Sequence, residues 1–507
     1  MRQTPVPVRQ GDGGLSHCCN LKHIKMEVFP MSLSLQAIPR FQMFSAEQCE
    51  LVHHSTLDVL RRTGMRVYHA EARELLKEAG CLISDETLVK FPPSLVEWAI
   101  KQAPSTIALC ERESGRAAFK LEAMNVAFGT GSDCRNYIDP RSGQYRLFRL
   151  ADVVDCIRLV DACPEIDFCM SMGIPADVDA IKPYRLQFSL MLQNTNKPIV
   201  FVADDKGDCE AIVAMAAAAA GGYEELRLSP NLLCYSQVTT PLVHNHESTE
   251  KLFYMSEMAL PIVHQPSPMM GGTAPMSMAG GLVVGNAEVL SSLVINQLIR
   301  QGAPFLYGGG QHHIDMRTTI SVYSAPEFDL QRVAVAEMAR YYNLPSWGYA
   351  GCTDSCIFDE HAAADASLSI MTALLSGENL VHDIGYMEAG LTFGVEMVLY
   401  ADEIISRMKA FCRGIALDSE SLALDLIDEI GPGGAYITTD HTFRHFRDFW
   451  QPRYFNRNRR DDWVAGGSKS MGDKLREKAI EIMENHRPEE LSASLREELD
   501  YILRQTG

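Results

Sequence analysis

The sequence predicts an α/β protein built as a (β/α)8 TIM barrel with helical N-terminal and C-terminal additions. Three observations carry that expectation. Short, nearly uninterrupted apolar runs recur eight times: "NVAFGTGSD" from Asn125, "IDFCMSMG" from Ile166, "KPIVFVADD" from Lys197, "NLLCYSQVTT" from Asn231, "PIVHQPSPMMGG" from Pro261, "PFLYGGG" from Pro304, "PSWGYAGCTD" from Pro345 and "NLVHDIGY" from Asn379. Their starts lie 30 to 43 residues apart, and most gaps hold a helical stretch such as "CEAIVAMAAAAAGG" or "NAEVLSSLVINQLIRQG". Strands that are apolar throughout belong to parallel sheets buried on both faces. An open doubly wound sheet is the competitor, but "GTGSD" after the first run is not the G-x-G-x-x-G of a dinucleotide fold.

The elements follow in order. Residues 1–30 are slightly basic and rich in turn formers, and read as a disordered tail or an upstream extension. Residues 31–120 read as a helical lead-in. Ser45 with Gln48 forms a capping box and Gly64 ends that helix. "AEARELLKEAG" ends at Gly80, and "FPPSLVEWAIKQAP" opens with proline. Residues 121–394 hold the barrel. Residues 395–507 are helical again, completing the barrel and supplying subunit contacts, so a homo-oligomer is expected.

Bulk properties exclude several classes. The chain of 507 residues carries a net charge of −19, which argues against a nucleic-acid binder. Its 14 cysteines include no CxxC pair and read as reduced, buried thiols of a cytoplasmic protein. No apolar run is read as reaching the roughly 18–20 residues of a membrane span.

In a barrel the chemistry belongs at the C-terminal ends of the strands. The sequence supplies Ser132 and Asp133, Asp204 and Asp205, Gln237 and Thr239, and His264 and Gln265 there. Later strands add Gln311, His312 and His313, then Cys352, Asp354 and Cys356, then His382, Asp383 and Tyr386. Tyr307, Trp347, Tyr349, Tyr386 and Phe393 crowd the same end, and aromatic faces attract quaternary ammonium groups. Arg317 in "DMR" offers a carboxylate clamp, with an ordinary ion pair as the competing role. "YGGGQHH" at 307–313 reads either as an anion cradle or as a tight turn. "HNH" at 244–246 and "HTFRH" at 441–445 have metal-ligand spacing but lack a third ligand, so no metal is expected.

Several segments resemble the trimethylamine methyltransferase family of corrinoid-dependent enzymes. They include "VLRRTGMRVYHAEARELLKEAGC", "DMRTTISVYSAPEFDLQRVAVAEMARYYNLPSWGYAGCTDS", "GENLVHDIGYMEAGLTFG" and "GPGGAYITTDHTFRHFRDFWQPRYFNRN", and the likeness runs from about Met31 onward. The resemblance implies methyl transfer from an amine to Co(I) of a cobalamin held by a separate corrinoid protein, with no cofactor bound by this chain. Founding members carry pyrrolysine, which the resemblance aligns at or beside Cys356, and this sequence has none. A quaternary amine, which leaves as a neutral tertiary amine, is therefore the expected substrate: glycine betaine or a related betaine. Cys356 and Asp354 are the candidate catalytic residues. Trp347, Tyr349 and Tyr386 are the expected cage, Arg317 and His382 the expected carboxylate donors, and Tyr307, His312 and Phe393 further lining. Cys356 fills the vacated space or, alternatively, carries the methyl group. A metal-dependent barrel hydrolase using "HNH" and a non-catalytic quaternary-ammonium binder are the alternatives.

Overall fold

Eight parallel strand positions close into a ring. The structure is a computed structural model and describes residues 36–178 and 183–505. The expected tail at 1–30 lies outside the described residues. Seven strands hydrogen-bond in the order Ile199–Phe201, Leu232–Gln237, Ile262–Gln265, Phe305–Gly308, Ser346–Tyr349, Leu380–Ile384 and Ala127–Thr130. Each neighbouring pair is parallel. Residues 168–169 fill the remaining place through parallel bridges, Gly129 to Phe168 on one side and Cys169 to Ile199 on the other. All eight apolar runs thus become barrel staves. At the second, the Phe168 ring occupies the space beside Gly129, where a Cβ would stand 2.4 Å from it.

A helix follows each stave: Leu150–Ala162, Pro183–Asn194, Lys206–Ala220, His246–Met258, Met278–Ile299, Pro326–Tyr342, Glu360–Ser376 and Val395–Cys412. Asp205, Asn245, Ser277 and Asp359 cap four of them by accepting from backbone N–H groups of the first turn. Gly221 and Gly377 end two of them in the left-handed conformation. The eighth helix begins at Val395, just past the expected barrel boundary at 394.

One expectation is corrected here. The helix Met278–Ile299 is, by length and composition, apolar enough to cross a membrane. Burial explains its composition, because it packs on the lead-in helices and on the staves Ile262–Gln265 and Phe305–Gly308. Helices surrounded by protein are apolar on every side. Its buried Asn286 and Asn296 donate to side-chain hydroxyls.

The lead-in contains the three expected helices, Ala46–Arg62, Ala70–Glu78 and Pro93–Gln102, and the Ser45–Gln48 capping box. It also contains strands that the helical reading omits. Met65–Val67, Leu82–Ser84 and Leu88–Lys90 join Val243–His244 in a small sheet, and Ile107–Cys110 pairs with Ala117–Leu121. Strands of three residues offer too short an alternation to be read from sequence. At the other end, Met471–Asn485 packs against Leu150–Ala162 and Val395–Cys412, and Ala493–Gln505 packs against Lys206–Ala220.

Candidate active site at the barrel mouth

A cavity of about 290 Å³ opens at the C-terminal ends of the strands. Its wall combines Tyr235, Tyr323, Tyr349 and Tyr386 with Asp133, Asp383, His382, Ser236, Gln237 and Lys251. The volume sits at the low end of small-molecule sites, roughly 300–1,000 Å³.

Backbone geometry aims the two carboxylates inward. Along a strand, successive side chains point to opposite faces. Asp383, in the last strand, breaks that alternation with a φ of 86°, and Asp133, three residues past the end of the first, turns with a φ of 67°. His382 and Asp383 consequently both line the cavity, as do Ser132 and Asp133. Left-handed backbone costs a non-glycine residue free energy and is held by its surroundings.

Both carboxylates are desolvated. Burial raises the Asp133 carboxyl to about 6, with Asp204 adding to the rise and Ser132 and Tyr184 opposing it. Burial raises Asp383 well above the usual range, opposed by the Arg332 charge. Asp133 Oδ2 accepts from Ser132 Oγ at 3.1 Å, whereas Oδ1 has no hydrogen-bond partner. His382 Nε2 stands 3.1 Å from Asp383 Oδ1, but neither Asp383 oxygen receives a well-directed hydrogen bond. The short distance is therefore a contact and not a hydrogen bond, because direction decides a hydrogen bond's strength.

A relay of amides and phenols fixes the rings. Tyr349 donates to Gln265 Oε1 at 2.7 Å, while Gln265 Nε2 and Gln237 Nε2 donate to the Tyr235 hydroxyl at 2.8 and 2.5 Å. His382 Nδ1 donates to Gly348 O at 2.9 Å, and its ring lies 4.3 Å from those of Trp347 and Tyr349. Burial lowers the His382 imidazolium to about 3. Beneath Tyr349, Arg332 stacks between that ring and Phe328, at 4.7 and 4.6 Å, and donates to Gly309 O and Gln311 O. The glycine run therefore turns carbonyls toward a guanidinium, which an anion cradle would not do.

The structure brings some predicted residues together and separates others. Tyr349, Tyr386 and His382 line the cavity. Trp347 is fully buried behind His382. Tyr307 faces the helices, donating to Asn286 Oδ1 at 2.8 Å. Phe393 packs where a Cβ on Gly385 would fall 2.3 Å from its ring. His312 donates from Nδ1 to Gly310 O and sets its ring edge against Tyr323. Arg317 is 90% exposed and paired with Asp315. Asp354 accepts from Tyr323 N at 2.9 Å and from Ser324 Oγ at 2.9 Å, so its carboxylate holds the loop that presents Tyr323. Cys356 is exposed, and slight burial followed by Glu388 raises its thiol.

Tyr235, Tyr323 and Lys251 were missed by sequence reasoning. Lys251 lies on the helix after the fourth strand and reaches back to donate to Ala203 O at 2.6 Å. Tyr235 sits two residues before Gln237 on one strand face, a spacing that could have found it. The "HNH" histidines diverge: His244 is buried against Ser291, whereas His246 is largely exposed beside Glu250. Among the described residues, His69, His246 and Glu250 form the one group with metal-ligand spacing, away from the cavity. In "HTFRH", the His441 and His445 rings lie 4.4 Å apart and His445 binds Asp448.

A parallel barrel whose mouth gathers tyrosine faces and two under-satisfied carboxylates has the form of an enzyme site. The family described as "Trimethylamine methyltransferase (MTTB)" matches residues 20–507, and the chain belongs to that family. The match begins inside the stretch set apart as a tail. The chain is similar to trimethylamine methyltransferase MttB of Desulfitobacterium hafniense, at 33% identity over 464 residues, 91% of this chain and 93% of that protein. It is also similar to a glycine betaine methyltransferase of Desulfitobacterium hafniense, at 27% identity over 478 residues, 93% and 98% of the two chains. Among solved structures, the monomethylamine methyltransferase MtmB of Methanosarcina barkeri superposes with a TM-score of 0.51 at 12% identity, covering 88% of each chain, which supports the barrel fold. The chain is accordingly a methyltransferase of methylamine metabolism.

Proposed function

We propose that this chain moves a methyl group from a quaternary amine, glycine betaine or a related betaine, to Co(I) of a separate corrinoid protein. The observation that carries this reading is the cavity itself. A quaternary ammonium ion offers no N–H, so ring faces and opposed carboxylates must hold it. Tyr235, Tyr323, Tyr349 and Tyr386 with Asp133 and Asp383 provide both. Lys251, on the same wall, is the cation available to a betaine carboxylate. The sequence contains no pyrrolysine, and a quaternary amine needs no covalent activation because it leaves as a neutral tertiary amine.

The chain's own residues orient the methyl group and exclude water. The corrinoid supplies the nucleophile that accepts the methyl group. Its carrier would dock over the mouth, where Met276, Met316, Ile320, Ile357 and Leu391, from loops after four successive strands, are exposed. Exposed apolar residues rimming a polar cavity suit a protein partner. The exposed Ile437, Phe443 and Phe449 of the C-terminal region suit contacts between copies of the chain, in a cytoplasmic homo-oligomer.

The test is a spectral screen of glycine betaine, other betaines, choline and trimethylamine with free cob(I)alamin. Methylation by a quaternary amine is expected. Turnover of trimethylamine with no quaternary activity would refute the reading.

A further inference from the structure

We infer that Asp383 keeps a proton and exchanges it for the organic cation, so that cation binding releases a proton. The inference rests on the cation-binding reading of the cavity and adds the stoichiometry of its counter-charge.

The geometry leads there in steps. His382 Nδ1 faces Gly348 O at 2.9 Å, so that nitrogen carries a hydrogen. Nε2 then stands 3.1 Å from Asp383 Oδ1 without the alignment of a hydrogen bond. An ionised Asp383 would set its charge beside that nitrogen's lone pair, in a water-poor site with no donor to either oxygen. The carboxyl therefore keeps its proton, and His382 and Asp383 together carry no net charge. Asp383 is 1% exposed, and its oxygens find no well-directed donor. The left-handed backbone at Asp383 keeps it turned into the cavity.

The neighbours leave Asp383 as the adjustable charge. Just past the first strand comes Asp133, with Asp204 adding to its rise and Lys251, on the helix after the fourth, opposing it. Tyr235, Tyr323 and Tyr349 face Asp383 from three other segments and Tyr386 from three residues further along its own, and burial keeps each phenol protonated. Cys134 and Cys352 lie near it as neutral thiols. Arg332 bears on it from behind Tyr349 and is fixed on backbone carbonyls. A tetraalkylammonium ion entering this wall meets Asp133 with Lys251 set against it and Asp383 still neutral. The balanced step is Asp383–COOH with His382, plus the cation, giving Asp383 carboxylate paired with the cation, plus one proton to solvent. When methyl transfer leaves a neutral amine, the same carboxylate takes a proton back.

Calorimetric titration of the full chain with tetramethylammonium, and separately with glycine betaine, in buffers of different ionisation enthalpy tests this. About one proton released per tetramethylammonium bound is expected, with affinity falling about tenfold per pH unit below the release midpoint. Asp383→Asn should bind with heats independent of buffer, while Asp133→Asn should still release the proton. Buffer-independent heats in the unaltered protein would overturn the inference, and so would loss of release in Asp133→Asn but not in Asp383→Asn. Quaternary-amine demethylation without proton release removes this inference alone. Failure of every quaternary cation to bind removes the functional reading with it.

Discussion

Tyr386 and Ser132 hydrogen-bond to each other twice: the Ser132 amide donates to the Tyr386 hydroxyl at 2.7 Å, and that hydroxyl donates to the Ser132 carbonyl. The loop after the last strand is thereby fastened to the end of the first, beside the cavity. Tyr386→Phe strands a buried N–H and C=O, at a cost of roughly 1–3 kcal/mol. Thermal denaturation should report that loss. Gly131→Ala should do similar harm, because its Cβ would stand 2.2 Å from the Tyr386 ring. An unchanged melting temperature for both variants would contradict this role.

Lys251 and Arg317 separate by substrate. Lys251→Met should weaken glycine betaine by roughly 1.5–3 kcal/mol, the value of a charge-assisted contact, without weakening tetramethylammonium, because Lys251 opposes the Asp133 charge. Arg317→Ala should change neither, since its side chain is 90% exposed and paired with Asp315. Tyr323→Leu should weaken both ligands by about 0.5–2 kcal/mol. Calorimetry on the three variants checks the pattern.

Cys356→Ser should retain methyl transfer. A methyl carrier would need an accessible thiolate, and here burial and Glu388 both disfavour one. Asp354→Ala should lose most activity, because Tyr323 and Ser324 lose the carboxylate that holds their loop. Steady-state rates for both variants decide between this and a direct role for Cys356.

Glu288 predicts a pH dependence of stability. Burial raises its carboxyl to about 8, with only the Leu242 N–H opposing. The unfolded chain releases that proton near the ordinary glutamate value, about 4.3. Between those two values the native state binds more protons than the unfolded state. Stability therefore falls as pH rises across that window, by at most about 1.4 kcal/mol per pH unit from this group. Glu288→Gln should flatten that slope. Melting curves at acid and mildly alkaline pH, compared with those of the unaltered protein, measure it.

The staves were legible because parallel barrel strands are apolar on both faces, a signal that survives even where "IDFCMSMG" supplies only three residues in isolated bridges. The small lead-in sheet was not, since Met65–Val67 offers a single alternation and takes its neighbour Val243–His244 from far along the chain. At the mouth, strand ends identified His382, Tyr349, Tyr386, Asp133 and Asp383 as residues of the right region. Sequence could not tell that Asp383 turns inward, because that depends on a φ of 86° that its residue type does not announce. Nor could it tell that Trp347 sits behind His382 and not beside the cavity, which depends on depth within the barrel.

The helix Met278–Ile299 has a bearing on how the chain is made. Emerging from a ribosome, it presents a segment that membrane-insertion machinery would accept by length and apolarity. What hides it is built from both flanks: the helices Ala46–Arg62 and Pro93–Gln102, already synthesised, and Pro326–Tyr342, still to come. A truncated chain released after residue 299 would leave one of its sides bare and would be a substrate for chaperones or for aggregation. The apolar helix thus makes a half-built barrel vulnerable until the segments on both of its flanks are in place.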